Sequence, residues 1–242
     1  MLNLANQPQA LSTTAKVFNL KHQSTRVTFE YEISMQLRKD SLFEAKRVWQ
    51  GNTLPCEKSP YIAMETALWS PEAGLLQATM HQPHLDESAS LDINHDSSTS
   101  VLNSKKTNYQ QNIKQLTFTR RPCTLLSILF EITHHWTPLL AGEVVSFDYA
   151  VLKVQAHTGV SLRMQKQGSY RVVSVTPNNW FWRMLFGSTN YYFQGDVPAL
   201  VKIEGLLEPR DRNLRGKYVE YLGRSIFDNP VDLSIFKEYG NE

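Results

Sequence analysis

Residues 27–37 alternate without a break. Val27, Phe29, Tyr31, Ile33, Met35 and Leu37 are apolar, and Thr28, Glu30, Glu32, Ser34 and Gln36 lie between them. A period of two sends successive side chains to opposite faces of an extended chain, so the run predicts a strand with one buried and one wet face. Lys39-Asp40 reads as a turn, 42–49 as a second strand, and Gln50-Gly51-Asn52 as another turn. Strand following strand through a short turn predicts an antiparallel meander rather than alternating βα units.

The period changes at 125–136, where apolar side chains stand at 125, 128, 129 and 132. That spacing is helical. Thr124 is expected to cap the helix, Pro138 to limit it and Gly142 to close the following turn. The stretch is apolar nearly all round, which predicts deep packing against a sheet.

From Val144 the period of two returns, with Val145, Phe147, Tyr149 and Val151 leading to a turn expected at 157–159. Segments 160–166 and 170–175 read as a hairpin about Gly168-Ser169. Asn178-Asn179, an apolar run and Gly187 predict a short helix over about 178–186. Segments 191–193, 199–204 and 217–222 complete a second β series, with turns at 195–196 and 213–216. The region 82–115 is rich in Asp, Ser, Asn, Gln and Lys, and reads as a polar excursion or edge hairpin, with a short strand resuming at Leu116 and Phe118.

The elements predict a mainly β (α+β) fold: an antiparallel, strongly bent sheet or open barrel of about eight to ten strands. It packs on the main helix at 125–136, with the short helix at 178–186 beside it. At 242 residues and 27.8 kDa, one domain spanning 1–242 is expected, since a chain of this size buries about 70% of its extended surface in one core. A net charge of +2 argues against a broad phosphate-binding face, so no nucleic-acid partner is expected. Apolar runs stay short of the roughly 18 residues a spanning helix needs, which argues against a transmembrane protein. Residues 1–16 carry no apolar leader core. The protein is expected in the cytoplasm if the chain is complete as given, and outside it if a leader has been removed.

Chemistry-bearing residues are sparse. Gly-x-Ser-x-Gly, phosphate-loop, dinucleotide and His-Glu-x-x-His patterns are missing, and no cofactor is expected. Cys56 and Cys123 leave open two apolar thiols or one long-loop disulfide. His81, His84 and His95 lie near acids without zinc-site spacing, so no metal is expected. His134 and His135 end the main helix and are weak candidates for acid–base work, with Glu131 or Asp148 as partner. Arg210, Arg212 and Lys217, with Arg215, form the densest basic cluster and a weak anion-site candidate. Trp180-Phe-Trp-Arg-Met-Leu-Phe186 reads three ways: a core plug, the wall of an apolar cavity, or a membrane-surface segment.

Three stretches carry a family resemblance: Trp136-Thr-Pro-Leu-Leu-Ala-Gly-Glu-Val-Val-Ser-Phe147, Pro177-Asn-Asn-Trp-Phe-Trp-Arg-Met-Leu185, and residues 203–217, which include Arg210-Asp211-Arg212 and Gly216-Lys217. Together they resemble an uncharacterised, usually exported family of bacterial β-rich proteins, distantly like lipoprotein-carrier half-barrels. The resemblance implies a periplasmic or envelope location and no particular catalytic residue. The one-sided 27–37 strand, the buried-type helix and the aromatic run favour a non-enzymatic protein holding a lipid or other apolar or amphipathic small molecule between sheet and helix, with Trp136, Trp180, Trp182, Phe186 and Tyr192 expected at the ligand. A cavity-type barrel enzyme using His134 or His135, and a structural or interaction module, are the alternatives.

Overall fold

The alternating run at 27–37 is a strand from end to end, with Phe29, Tyr31, Ile33 and Met35 buried and Glu32 and Gln36 exposed. It is one of fifteen strands that the computed structural model joins in a single sheet. The described residues are 10–20, 27–50, 61–95, 99–105, 111–213 and 215–237. A first meander contains β1 (Ala10–Asn19), β2 (Val27–Leu37), β3 (Phe43–Gln50), β4 (Ala63–Ser70), β5 (Gly74–Gln82), β6 (Glu87–Asn94), β7 (Thr99–Lys105) and β8 (Gln111–Thr117). Then come β9 (Pro122–Cys123), α1 (Ile128–His134) and α2 (Trp136–Leu140). A second meander follows: β10 (Val145–Val151), β11 (Ala156–Gln167), β12 (Tyr170–Pro177), α3 (Trp180–Phe186), β13 (Thr189–Gln194), β14 (Ala199–Arg212) and β15 (Tyr218–Asp232).

The meanders meet where β1 pairs with β15, and every described pairing is antiparallel except β9 with β10. The outermost strands, β8 and β9, share no backbone ladder, so the sheet is open. They are nonetheless consecutive in the chain, separated by residues 118–121. The five steps from Thr117 to Pro122 span at most about 18 Å, so the outer edges are held close and the sheet must curl on itself.

Side chains fasten this seam. Asp148 on β10 accepts from the backbone N–H groups of Thr119 (2.7 Å) and Arg120 (2.9 Å). The Lys114 ammonium on β8 donates to the Gln155 carbonyl at 2.8 Å, and the Gln155 amide donates to Ser104 Oγ on β7. The result is barrel-like without a closed ladder.

Alternating hairpins sort the connections into two ends. At one end lie 71–73, 195–198, α1, α2 and the 3-10 turn Ser234–Phe236. There Arg121 reaches the carbonyls of Ser70, Pro71 and Glu72, and the Trp136 indole donates to Asp196 O at 2.9 Å. Phe43, Trp69, Phe130 and Phe236 interlock with ring centres 5.1–5.8 Å apart, so α1 plugs this end with aromatic packing. At the other end lie the turns 83–86 and 152–155, α3, and the β14–β15 turn.

Several expectations are corrected. The main helix starts at Ile128, because Thr124 and Ser127 close a turn first: Ser127 Oγ accepts from Thr124 N at 2.8 Å. It breaks at His135, and α2 continues to Leu140. Pro138 sits in the first turn of α2, where no helical N–H is required. Gly142 closes the segment at φ +87°. The turn expected at 157–159 lies at 152–155 instead, ending on Gln155 with φ +51°, while 157–159 belong to β11. The polar region 82–115 supplies β6, β7 and most of β8, with Ala89, Leu91 and Leu102 buried. On β6 the inward phase is apolar, whereas β7 and β8 form the edge hairpin of the sheet, with Ser100 and Ser104 buried and Val101 and Ile113 exposed.

Candidate functional site

Strands β3 and β4 carry charge in their inward phase. Phe43, Ala45 and Trp49 alternate with outward residues, and Arg47 shares their phase. Ala63, Ala67 and Trp69 share theirs with Glu65. Arg47 and Glu65 stand directly opposite in register and form a buried ion pair. The guanidinium also lies 4.4 Å from the Trp49 ring centre and 5.6 Å from that of Tyr31. Burial pushes the Glu65 carboxyl up, against the opposing pull of Arg47. Tyr31 is tied to Ser225 Oγ at 2.6 Å.

Beside this pair is a cavity of about 110 Å³ inside the curled sheet. Its walls come from β4 and β5 on one side and β10–β14 on the other, chiefly Ala78, Met80, Ala150, Val160, Val175 and Leu206. Residues 124–126, just before α1, floor it, and Phe186 and Gly187 at the end of α3 stand at its mouth. The polar lining is Glu65, Tyr149, Lys153, Tyr191, Glu208 and a few threonines. Burial pushes the Tyr149 phenol well up and the Tyr191 phenol up. Neither hydroxyl has a hydrogen-bond partner among the described residues.

At the rim, the Lys153 ammonium binds Glu208 and also Glu220 at 2.8 Å. Burial would lower the Lys153 pKa, yet the two carboxylates outweigh it and raise it. Arg210 pairs with Glu87, joining β14 to β6 across the mouth. Chemically the site offers an apolar sleeve with two phenol hydroxyls and a carboxylate converging in it.

Among the five residues expected at the ligand, Phe186 alone lines this cavity. Trp136 is buried at the plugged end, 4.9 Å from the Phe193 ring, because the kink at His135 turns it toward β13. Tyr192 alternates with Tyr191 and faces outward, donating to Glu204 at 2.8 Å beneath the Lys202 ammonium. Its pKa is pushed up to about 12, by burial first and then by Glu204. Trp180 and Trp182 sit on α3 outside the cavity. The core-plug reading of 180–186 is overturned, since no α3 side chain is buried.

The other candidates are dispersed. His134 packs edge-on to Trp69 and His135 edge-on to Phe147 at the plugged end, and neither lines the cavity. Burial, with His135 and Arg121 adding to it, lowers His134 from 6.5 to about 4. The His135 Nδ1 lies 3.9 Å from Glu131 Oε2, beyond hydrogen-bond reach. Glu131 is occupied by the Trp69 indole (2.6 Å) and Arg121 (3.1 Å). Arg210 is paired with Glu87, Lys217 is exposed, and the Arg212 side chain lies outside those described.

His81, His84 and His95 bond separately to Tyr61, Ile62 O and Leu75 O, and no metal-ligand cluster occurs among the described residues. Cys123 is buried, and Cys56 lies outside the described residues. No helix among the described residues is long and apolar enough to cross a membrane.

The chain matches no family model and no curated protein. It is similar to a solved crystal structure from Brucella abortus, described as a β-barrel-like protein of domain of unknown function DUF1849. Identity is 7%, the TM-score is 0.46, and the match covers 93% of this chain and 97% of the other.

Proposed function

We propose that the protein binds an amphipathic small molecule inside the curled sheet. The observation that carries this reading is a largely apolar cavity lined by the Tyr149 and Tyr191 phenols, whose hydroxyls have no hydrogen-bond partner among the described residues. A ligand site of this kind is an apolar enclosure with a few convergent polar groups. A ligand head bearing a hydroxyl, amide or amine can hydrogen-bond these two phenols, which line the cavity, each such bond contributing about 1 kcal/mol. The apolar tail would run along Ala78, Met80, Val160 and Val175. The resemblance to an uncharacterised, usually exported β-rich family supports a periplasmic location.

Native mass spectrometry with lipid extraction, on protein purified from its own host, tests the reading. The expected result is a co-purifying amphipathic species that Ala150→Phe excludes. A clean apo mass for the wild-type protein contradicts it.

A further inference from the structure

The mouth end of the barrel carries an apolar helix that the fold does not use for its own core. On α3, Trp180 is 72% exposed, Met184 67%, Leu185 51% and Phe181 47%. At 100° per residue these four occupy one face, while Trp182 and Phe186 stack on each other elsewhere on the helix, 5.1 Å apart and 14° from parallel. The orientation is fixed at both ends. Asn179 caps the start by accepting from Phe181 N at 2.8 Å, Arg183 donates to Pro177 O at 3.0 Å, and Gly187 turns the chain at φ +64°.

We propose that this face of α3 inserts into a lipid surface carrying anionic headgroups and so sets the cavity mouth against it. The exposed area is roughly 500 Å², taking 150–250 Å² for each aromatic side chain. A stable protein–protein interface needs about 800 Å² per partner, so the patch is small for a second copy or a folded partner. It suffices for an interfacial anchor, where Trp and Phe favour the headgroup boundary.

The charge around it agrees. Arg183, Arg215 and Lys217 are exposed and make no ion pair among the described residues. The β14–β15 turn carrying Arg215 and Lys217 lies in the hairpin next to the one carrying α3, because β13 pairs with β14. The rim carboxylates Glu87, Glu208 and Glu220 are engaged by Arg210 or Lys153. Among the described turns of this end, the exposed carboxylate is Asp86 of the β5–β6 turn. The proposal goes beyond the ligand reading and stands on the exposed face of α3 with the neighbouring cations, not on what fills the cavity.

The test is co-sedimentation of the full chain with vesicles of phosphatidylcholine alone and of an equal mixture with phosphatidylglycerol. The mixed vesicles are expected to bind the protein, with Trp180 fluorescence shifting to the blue. Trp180→Ser with Met184→Ser is expected to weaken binding by about tenfold or more. Arg215→Gln with Lys217→Gln is expected to weaken it roughly thirtyfold, about fivefold per cation, on the mixed vesicles alone. The substituted side chains are all exposed, and an unchanged urea midpoint verifies folding. Failure of the wild type to bind either vesicle, or equal binding by the α3 variant, overturns the proposal. So does self-association that the α3 variant abolishes, which would make the face an interface between copies. Retention of the internal ligand without vesicle binding overturns this proposal and leaves the ligand reading intact.

Discussion

Two helices of seven residues, α1 (ILFEITH) and α3 (WFWRMLF), are both apolar for most of their length, yet they end in opposite environments. In α1 every residue from Ile128 to Thr133 is buried, including Glu131, whereas α3 has no buried residue. Hydrophobicity therefore does not decide which helix enters the barrel. Connection does. α1 follows β9 in the parallel crossover to β10, directly after the 118–121 link between the outer edges, so it lies at the end those edges enclose. α3 bridges a hairpin whose strands are already paired at Val175 and Thr189, which pins it at the rim. One helix stabilises the fold, and the other is left as surface.

Substitutions break or sharpen this contrast. Phe130→Ala removes a ring packed on Phe43, Trp69 and Phe236, and is expected to cost about 3–5 kcal/mol in urea unfolding. Glu131→Ala leaves Arg121 and the Trp69 indole without their carboxylate, with an expected loss of about 3 kcal/mol, and Glu131→Gln a smaller one.

The end of α1 should titrate. The folded pKa of His134 lies below its ordinary 6.5, at about 4, so the native state binds fewer protons than the unfolded chain between those values. Stability is then full above pH 6.5 and lost as pH falls toward 4, by about 1–2 kcal/mol after discounting for the half-exposed ring. His134→Gln should flatten that part of a pH–stability profile. Trp180→Ser and Met184→Ser on α3 should each stay within about 0.5 kcal/mol of wild type. A loss near that of Phe130→Ala would refute the contrast.

Much of this architecture was legible where local pattern and local structure coincide. The 27–37 alternation is β2, and Asn179 and Gly187 bound α3 as their cap chemistry requires. Strands β4 and β5 escaped the reading because their inward positions include Ala63, Glu65, Ala67 and Ala78, which weaken the alternation. The site was less legible. Arg47 in the apolar phase of 43–49 was a usable signal of a buried charge, since a strand commits each phase to one face. That Tyr191 rather than Tyr192 lines the cavity, and that Trp136 does not, depends on the curl of the sheet and the His135 kink. Both arise from long-range pairing that a single stretch does not encode.

The central claim is that the interior cavity is a ligand site, and fluorescence titration with N-phenyl-1-naphthylamine addresses it directly. Wild-type protein should bind the probe saturably, the Trp180→Ser/Met184→Ser variant should bind it equally, and Ala150→Phe should not bind it while keeping its circular dichroism spectrum. Unchanged binding in Ala150→Phe would contradict the account.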